Sequence, residues 1–257
     1  MRPAVLVLHQ VKYEQKAYWR NPASAFFTFA FPLVFLVIFA SLNNGATIDF
    51  LGGLEYNQYY IPAIIAFSII SATYTQIGIS LALRRQTGEL KRFRTTPLPT
   101  WALVCGLLGS AVLVGLISAA LTTALGIVAY RVVLPTHYVA LALVLLVGAS
   151  SFCALGVAIA SLIPNADAAP AVVNGVLFPV LFLSGVFFPL DPSSVLARVA
   201  DVFPVRHFSQ AVFTAFDPRL PGGLTQGFAW GDLAILALWG ALGAFVAVRR
   251  FRWEPRR

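Results

Sequence analysis

The chain has 257 residues, of which 59% are hydrophobic and 11% charged, and its mean hydropathy is +0.81. A soluble domain carries about 25% charged residues, so these values exclude a disordered chain and a secreted disulfide scaffold and weigh heavily against an ordinary soluble enzyme. The balance of 18 Lys and Arg against 10 Asp and Glu gives a net charge of +8, and its distribution, not its size, carries the information.

The first twenty residues read as an interfacial helix. At helical spacing Ala4, Val7, Leu8, Val11 and Tyr18 share one side, and His9, Lys16 and Arg20 the other. Asn21-Pro22 ends this helix and turns the chain. No cleavable signal peptide is expected, because no compact apolar core with a small-residue cleavage site follows the start.

Six charge-free runs then follow: 23–42, 59–83, 101–130, 138–163, 168–190 and 233–248. A hydrophobic stretch of about 20 residues spans a bilayer. Uninterrupted apolar runs do not match membrane β-strands, so the spans are helices. The last run reaches spanning length if Trp230 and Gly231 join it. The fifth holds Pro170, Pro179 and Pro189 and is expected to be irregular. The expectation is an all-α polytopic membrane protein with six transmembrane helices.

Basic residues set the orientation. Four precede the first span, five lie between the second and third, and five follow the sixth; only Arg131, Arg198, Arg206 and Arg219 fall on the other side. Both termini are therefore expected in the cytoplasm, with no nucleic acid partner, because the charge faces anionic lipid. The 191–227 stretch is long for a simple loop. It carries Pro192-Ser193-Ser194 before one short helical pattern, and Val205, Phe208, Val212 and Phe216 on one face of a second.

Residues for catalysis or metal binding are not evident. His9, His137 and His207 lie outside the apolar centres, and there is no HExxH and no GxxxxGK[ST] loop. Cys105 and Cys153 sit in apolar runs and read as small buried hydrophobes. The five longest runs contain no ionisable Asp, Glu, Lys or Arg, which argues against a proton-driven carrier and leaves open sodium held by backbone carbonyls. Polar groups in the spans are neutral: Ser68, Ser71, Thr75 and Gln76 in the second, Asn174 and Ser184 in the fifth. They either line a path or hold helices together.

The cytoplasmic segment Arg84-Arg85-Gln86-Thr87-Gly88-Glu89-Leu90-Lys91-Arg92-Phe93-Arg94-Thr95-Thr96-Pro97-Leu98 places polar residues around a Gly, then a basic stretch, then Thr-Pro-Leu. As one helix it would pair Arg85 with Glu89 at i, i+4. With Leu183-Ser184-Gly185-Val186-Phe187-Phe188-Pro189, Phe203-Pro204, Arg206-His207 and the lead-in ending at Arg20-Asn21-Pro22, it resembles the permease subunits of type-2 ABC transporters, and multidrug members such as the daunorubicin exporter permease in particular.

That resemblance implies an exporter subunit of the bacterial cytoplasmic membrane that is not itself an enzyme. It implies an elbow helix at 1–22, a six-helix domain at 23–257, a coupling helix near 85–95 and outer re-entrant helices within 191–227. The partners it implies are a separate ABC ATPase, which holds ATP and Mg, and a second copy or a homologous permease. Arg85, Gly88, Glu89, Arg92 and Arg94 would couple to the ATPase. Thr75, Gln76, Asn174 and Phe178 would line the path of a hydrophobic or amphipathic substrate, and Ser184, Gly185, Phe188 and Pro189 would form the outer gate. The competing expectations are a membrane scaffold subunit and a secondary carrier.

Overall fold

A computed structural model describes residues 3–93, 95, 98–221 and 226–251. The described residues are almost wholly helical. Helix α1 (Pro3–Trp19) is followed by α2 (Pro22–Leu42), a two-stranded hairpin (Thr47–Ile48 and Leu54–Glu55), α3 (Tyr56–Ile70), a π-helical turn (Ser71–Thr75) and α4 (Gln76–Gln86). Then come α5 (Glu89–Phe93), α6 (Thr100–Tyr130), α7 (Tyr138–Leu162), α8 (Ala169–Leu183), α9 (Val195–Ala200), α10 (Pro204–Phe216) and α11 (Trp230–Arg250).

Among the described residues five helices are long and apolar enough to cross a membrane: α2, the continuous Tyr56–Gln86 unit, α6, α7 and α11. The fifth apolar run is irregular, as its prolines led one to expect, and only part of it is helical. Its helix α8 has 15 residues and stops at Leu183, so it is about 22 Å long at 1.5 Å per residue, short of a hydrocarbon core of about 30 Å. The cause is local. Gly185 takes φ +78, a left-handed conformation, and the chain leaves the helix there. The 191–227 stretch folds into α9 and α10, and Val205, Phe208, Val212 and Phe216 are all buried against the bundle.

The Tyr56–Gln86 unit is the axis of the bundle, 72% buried against 28% for α2 and for α11. Tyr60, Phe67, Phe152, Phe187 and Phe208 are the largest buried side chains around it. Helix pairs in lipid gain little from hydrophobicity and rely on close backbone approach. Accordingly Gly240 and Gly243 of α11 face Ser151, Ala154 and Leu155 of α7. A Cβ at residue 243 would lie 2.9 Å from the Leu155 nitrogen and 3.0 Å from the Ala154 carbonyl carbon. Those are backbone atoms and cannot turn aside. Gly243→Leu is therefore expected to cost about 1–3 kcal/mol, read as an earlier midpoint in a detergent-unfolding titration.

The N-terminal helix keeps the expected polar side, His9, Lys16 and Arg20, outward, but its inward face is rotated from Leu8 toward Gln10 and Glu14. Its buried residues are Gln10, Glu14 and Tyr18, Val7 and Val11 are half-buried, and Leu8 is 68% exposed. The inward polar groups must find partners in the protein. Gln15 Nε2 donates to the Ser110 carbonyl at 2.9 Å and to its Oγ at 3.0 Å. Gly106 of α6 makes room for Gln10, whose Cγ would lie 2.2 Å from a Cβ there.

Candidate functional site

Three helices line a half-open cavity of about 340 Å³. Ser24, Phe27, Thr28 and Phe31 of α2 form one wall, at i, i+3, i+4 and i+7. Phe67, Ser71, Thr75 and Gln76 of the central unit form the second, and Asn174 and Phe178 of α8 the third. Thr75, Gln76, Asn174 and Phe178, singled out from sequence, thus share one cavity. The Phe31 ring stands 6.2 Å from both Phe67 and Phe178, which joins the three walls through aromatic contacts. The lining holds hydroxyls, amides and rings, and no charged side chain.

The π-helical turn divides the hydroxyls of the second span. Ser68, just before it, is fully buried and bonds the Ile64 carbonyl at 2.8 Å and Thr122 Oγ1 at 3.1 Å. Ser71 and Thr75, within it, face the cavity. A π-bulge shifts helical phase at one point and is frequent at functional sites. The α2 wall went unrecognised in the sequence, although its alternation of hydroxyl and phenylalanine on one face was a readable signal.

At the basic end, Arg84 and Arg85 point to different partners. Arg84 Nη1 and Nη2 donate to Glu14 Oε1 and Oε2 at 2.9 and 2.6 Å, while Gln10 Nε2 donates to Glu14 Oε1 at 3.0 Å. This is a bidentate pair, the strong geometry for such contacts. Arg85 is only 3% exposed and donates to the carbonyls of Ala160, at 3.1 Å, and Ile163, where the last turn of α7 leaves them unbonded. The Arg85–Glu89 pair expected from a continuous helix is replaced by an Arg84–Glu89 contact of 3.7 Å. The reason is Gly88, whose φ of +72 ends the helical path between them. Glu89, Lys91 and Arg92 are exposed on α5; Arg94 lies outside the described residues.

At the opposite end, the gate candidates form a bonded turn. Tyr59 Oη donates to the Gly185 carbonyl at 2.8 Å and Tyr56 Oη to that of Phe187 at 3.2 Å. Ser184 is buried, Phe188 is half exposed, and Pro189 is partly buried. Nearby, His207 of α10 lies between two acceptors, Asp232 Oδ1 2.6 Å from Nδ1 and the Asp201 carbonyl 2.8 Å from Nε2. Arg206 Nε bonds the Asp201 carboxylate at 2.5 Å.

An imidazole with acceptors at both nitrogens is best satisfied as the two-donor cation. The hydrogen bond donated to Asp232 is the main cause that raises the His207 pKa above its ordinary value. The folded state then holds a proton that the unfolded state, near pKa 6.5, has lost. The stabilisation is complete below about pH 6.5 and disappears as pH rises through the raised folded value. Thermal unfolding in detergent should show a melting temperature that falls from pH 6 to pH 9, and His207→Gln should flatten that slope. An unchanged slope in the variant would assign the pH dependence to another group.

No cluster of three or more His, Cys, Asp or Glu that could hold a metal occurs among the described residues. Residues 6–216 match the family described as ABC-2 type transporter. The chain is 25% identical over 198 residues to a probable multidrug ABC transporter permease, YbhR, of Escherichia coli K12, covering 77% of this chain and 54% of that protein. It is 28% identical over 158 residues to the inner membrane transport permease YadH of the same strain, 61% of this chain and 60% of the other. Against the daunorubicin resistance ABC transporter permease protein DrrB1 of Streptomyces coeruleorubidus, identity is 32% over 188 residues, 70% of this chain and 64% of that one. The chain thus spans between half and two thirds of the length of these relatives. With a family match that extends from α1 to the end of α10, over a bundle of membrane-length helices, the chain belongs to the ABC-2 type transporter family.

Proposed function

We propose that the chain is the membrane-spanning permease half of an exporter that moves a hydrophobic or amphipathic molecule out of the cytoplasm. ATP is hydrolysed by a separate ATPase chain, and two permease halves, identical or homologous, work together. The observation that carries this reading is the charge-free cavity of phenylalanines, hydroxyls and amides between α2, the central unit and α8. Such a lining suits a molecule with ring surface and a few hydrogen-bonding groups, and disfavours a bare ion. The multidrug and daunorubicin names of the relatives support the same class of cargo.

In this reading α8 and the turn after it complete a sixth crossing, so that both termini and the α4–α6 connection, which together hold 14 of the 18 basic residues, are cytoplasmic. Glu89 and Arg92, exposed on α5, meet the ATPase, and Arg85 and Gly88 hold that element in place. The Ser184–Pro189 turn closes the outer side.

The test is transport of a fluorescent anthracycline into inside-out vesicles that contain the permease and its ATPase. Removing one aromatic contact costs about 0.5–1.5 kcal/mol, so Phe178→Ala should lower kcat/KM by up to about tenfold. Transport that persists without nucleotide and follows an ion gradient would refute the proposal.

A further inference from the structure

The cavity between α2, α3–α4 and α8 has a neighbour. A second cavity, of about 230 Å³, lies beside α1 toward the basic end. The same two helices wall both cavities in succession. On α2 the second cavity meets Asn21 and Ser24, and the first continues from Ser24 to Phe31. On the central unit the second runs from Arg84 back to Gln76, and the first from there to Phe67. Among the described residues, Ser24 and Gln76 alone line both. They are bonded to each other, Ser24 Oγ donating to Gln76 Oε1 at 3.1 Å. One neutral hydrogen bond therefore stands at the boundary between the two spaces.

Both of its partners sit on backbone that can adjust. Ser24 is in the first turn of α2, where its own N–H is bonded to the Asn21 side chain at 3.2 Å and not to a helical carbonyl. Gln76 follows the π-helical turn, and its N–H is shared between the Ser71 and Thr73 carbonyls. A neutral pair that is half-buried on both sides is a weak barrier, because either group can find another partner when it opens. The two spaces also differ in chemistry. The second presents the Glu14–Arg84 ion pair and the exposed Glu89 at its rim, whereas the first is walled by rings.

We propose that the cavity beside α1 is a vestibule through which an aromatic amphiphile passes from the cytoplasmic side, rings leading and polar head trailing, and that the Ser24–Gln76 hydrogen bond is the gate into the inner cavity. This rests on the substrate class proposed above. The gate itself can be tested without any substrate.

The reporter is a cysteine at the inner wall, Asn174→Cys, in a full-length chain carrying Cys105→Ser and Cys153→Ser. A charged methanethiosulfonate is added to the cytoplasmic face of inside-out vesicles and the rate of Cys modification is followed. Ser24→Ala and, separately, Gln76→Ala each delete the gate bond and should raise that rate about tenfold. Ser24→Asp combined with Gln76→Lys replaces the bond by an ion pair and should lower it by a similar factor. Rates within twofold of each other in all these variants would overturn the gate. In parallel, on the same chains without the reporter substitution, binding of a fluorescent anthracycline is measured. Ser24→Ala should speed its association and dissociation together. A gate that controls the reagent while no anthracycline binds would overturn the amphiphile as the passenger. Anthracycline that binds at the wild-type rate in every gate variant, with unchanged Cys modification, would overturn the gate and leave the substrate class standing.

Discussion

Arg84→Met is expected to destabilise the protein by about 3–5 kcal/mol, the usual cost of removing one partner from a buried ion pair. Glu14 has only 6% of its side chain exposed, and Arg84 only 17%. Without the guanidinium, the carboxylate keeps one neutral donor, Gln10 Nε2 at 3.0 Å. Glu14 also sits on the inward face of α1, with Gln10 and Tyr18. A charge stranded there must either be protonated or pull the helix away from α4 and α6. The effect should therefore be seen twice, as a lower unfolding midpoint in detergent and as faster proteolysis after residues of α1. Glu14→Gln with Arg84→Met removes both charges, and the cycle should recover much of the loss, because two well-filled neutral side chains are often as stable as the pair they replace. A single-variant cost below about 1 kcal/mol, the range of an exposed pair, would mean that α1 is held by its contacts to Ser110 and Gly106 instead.

The positions of the spans were legible in the sequence because the bilayer imposes them. The runs at 23–42, 101–130 and 138–163 agree to within a residue at each end with α2, α6 and α7. A bilayer rewards length and apolarity, which composition records directly. The irregularity of the fifth run was legible in its prolines, but the point where its helix ends was not: Gly185 adopts a left-handed turn bonded by Tyr59. On α1 the outward side of His9, Lys16 and Arg20 was legible, whereas the inward turn of Gln10 and Glu14 was not, because their partners lie on α4 and α6. In lipid, Leu8 can point outward, and Glu14 needs the protein.

The site was half legible. Thr75, Gln76, Asn174 and Phe178 stood out as polar or aromatic groups in apolar runs, and they meet in one cavity. Ser24, Thr28 and Phe31 did not, because the contact with Gln76 joins residues 52 positions apart. The Glu14–Arg84 pair spans 70 positions and lies outside any local periodicity. Nor does a single sequence mark a π-helical turn, since Ser71–Thr75 lies inside the charge-free run 59–83 and holds neither Gly nor Pro. Adjacent arginines were read as one basic stretch. A helix separates neighbours by 100°, which is enough to send Arg84 to α1 and Arg85 to the end of α7.

Glu89→Arg is the substitution expected to abolish transport with the least damage to the fold. The Glu89 side chain is 45% exposed at the start of α5 and lies 3.7 Å from Arg84. An exposed pair of that length is worth well under about 1 kcal/mol. Charge reversal also adds to the positive cytoplasmic bias, so insertion should be unaffected. What it removes is an acidic group on an otherwise basic element, beside the exposed Lys91 and Arg92. If α5 docks on the ATPase, the reversed charge leaves a partner cation facing a cation, which typically costs several kcal/mol at an interface. Expected, then, are wild-type amounts of protein in the membrane and an unchanged unfolding midpoint. ATP-driven transport should fall at least tenfold, and the ATPase should no longer co-purify. Anthracycline binding to the permease without its ATPase separates this from an effect on the vestibule, whose rim Glu89 also lines; binding should be retained. Transport at the wild-type rate, with the ATPase fully bound, would remove Glu89 from the coupling surface and leave the basic residues of α5 as anchors for anionic lipid.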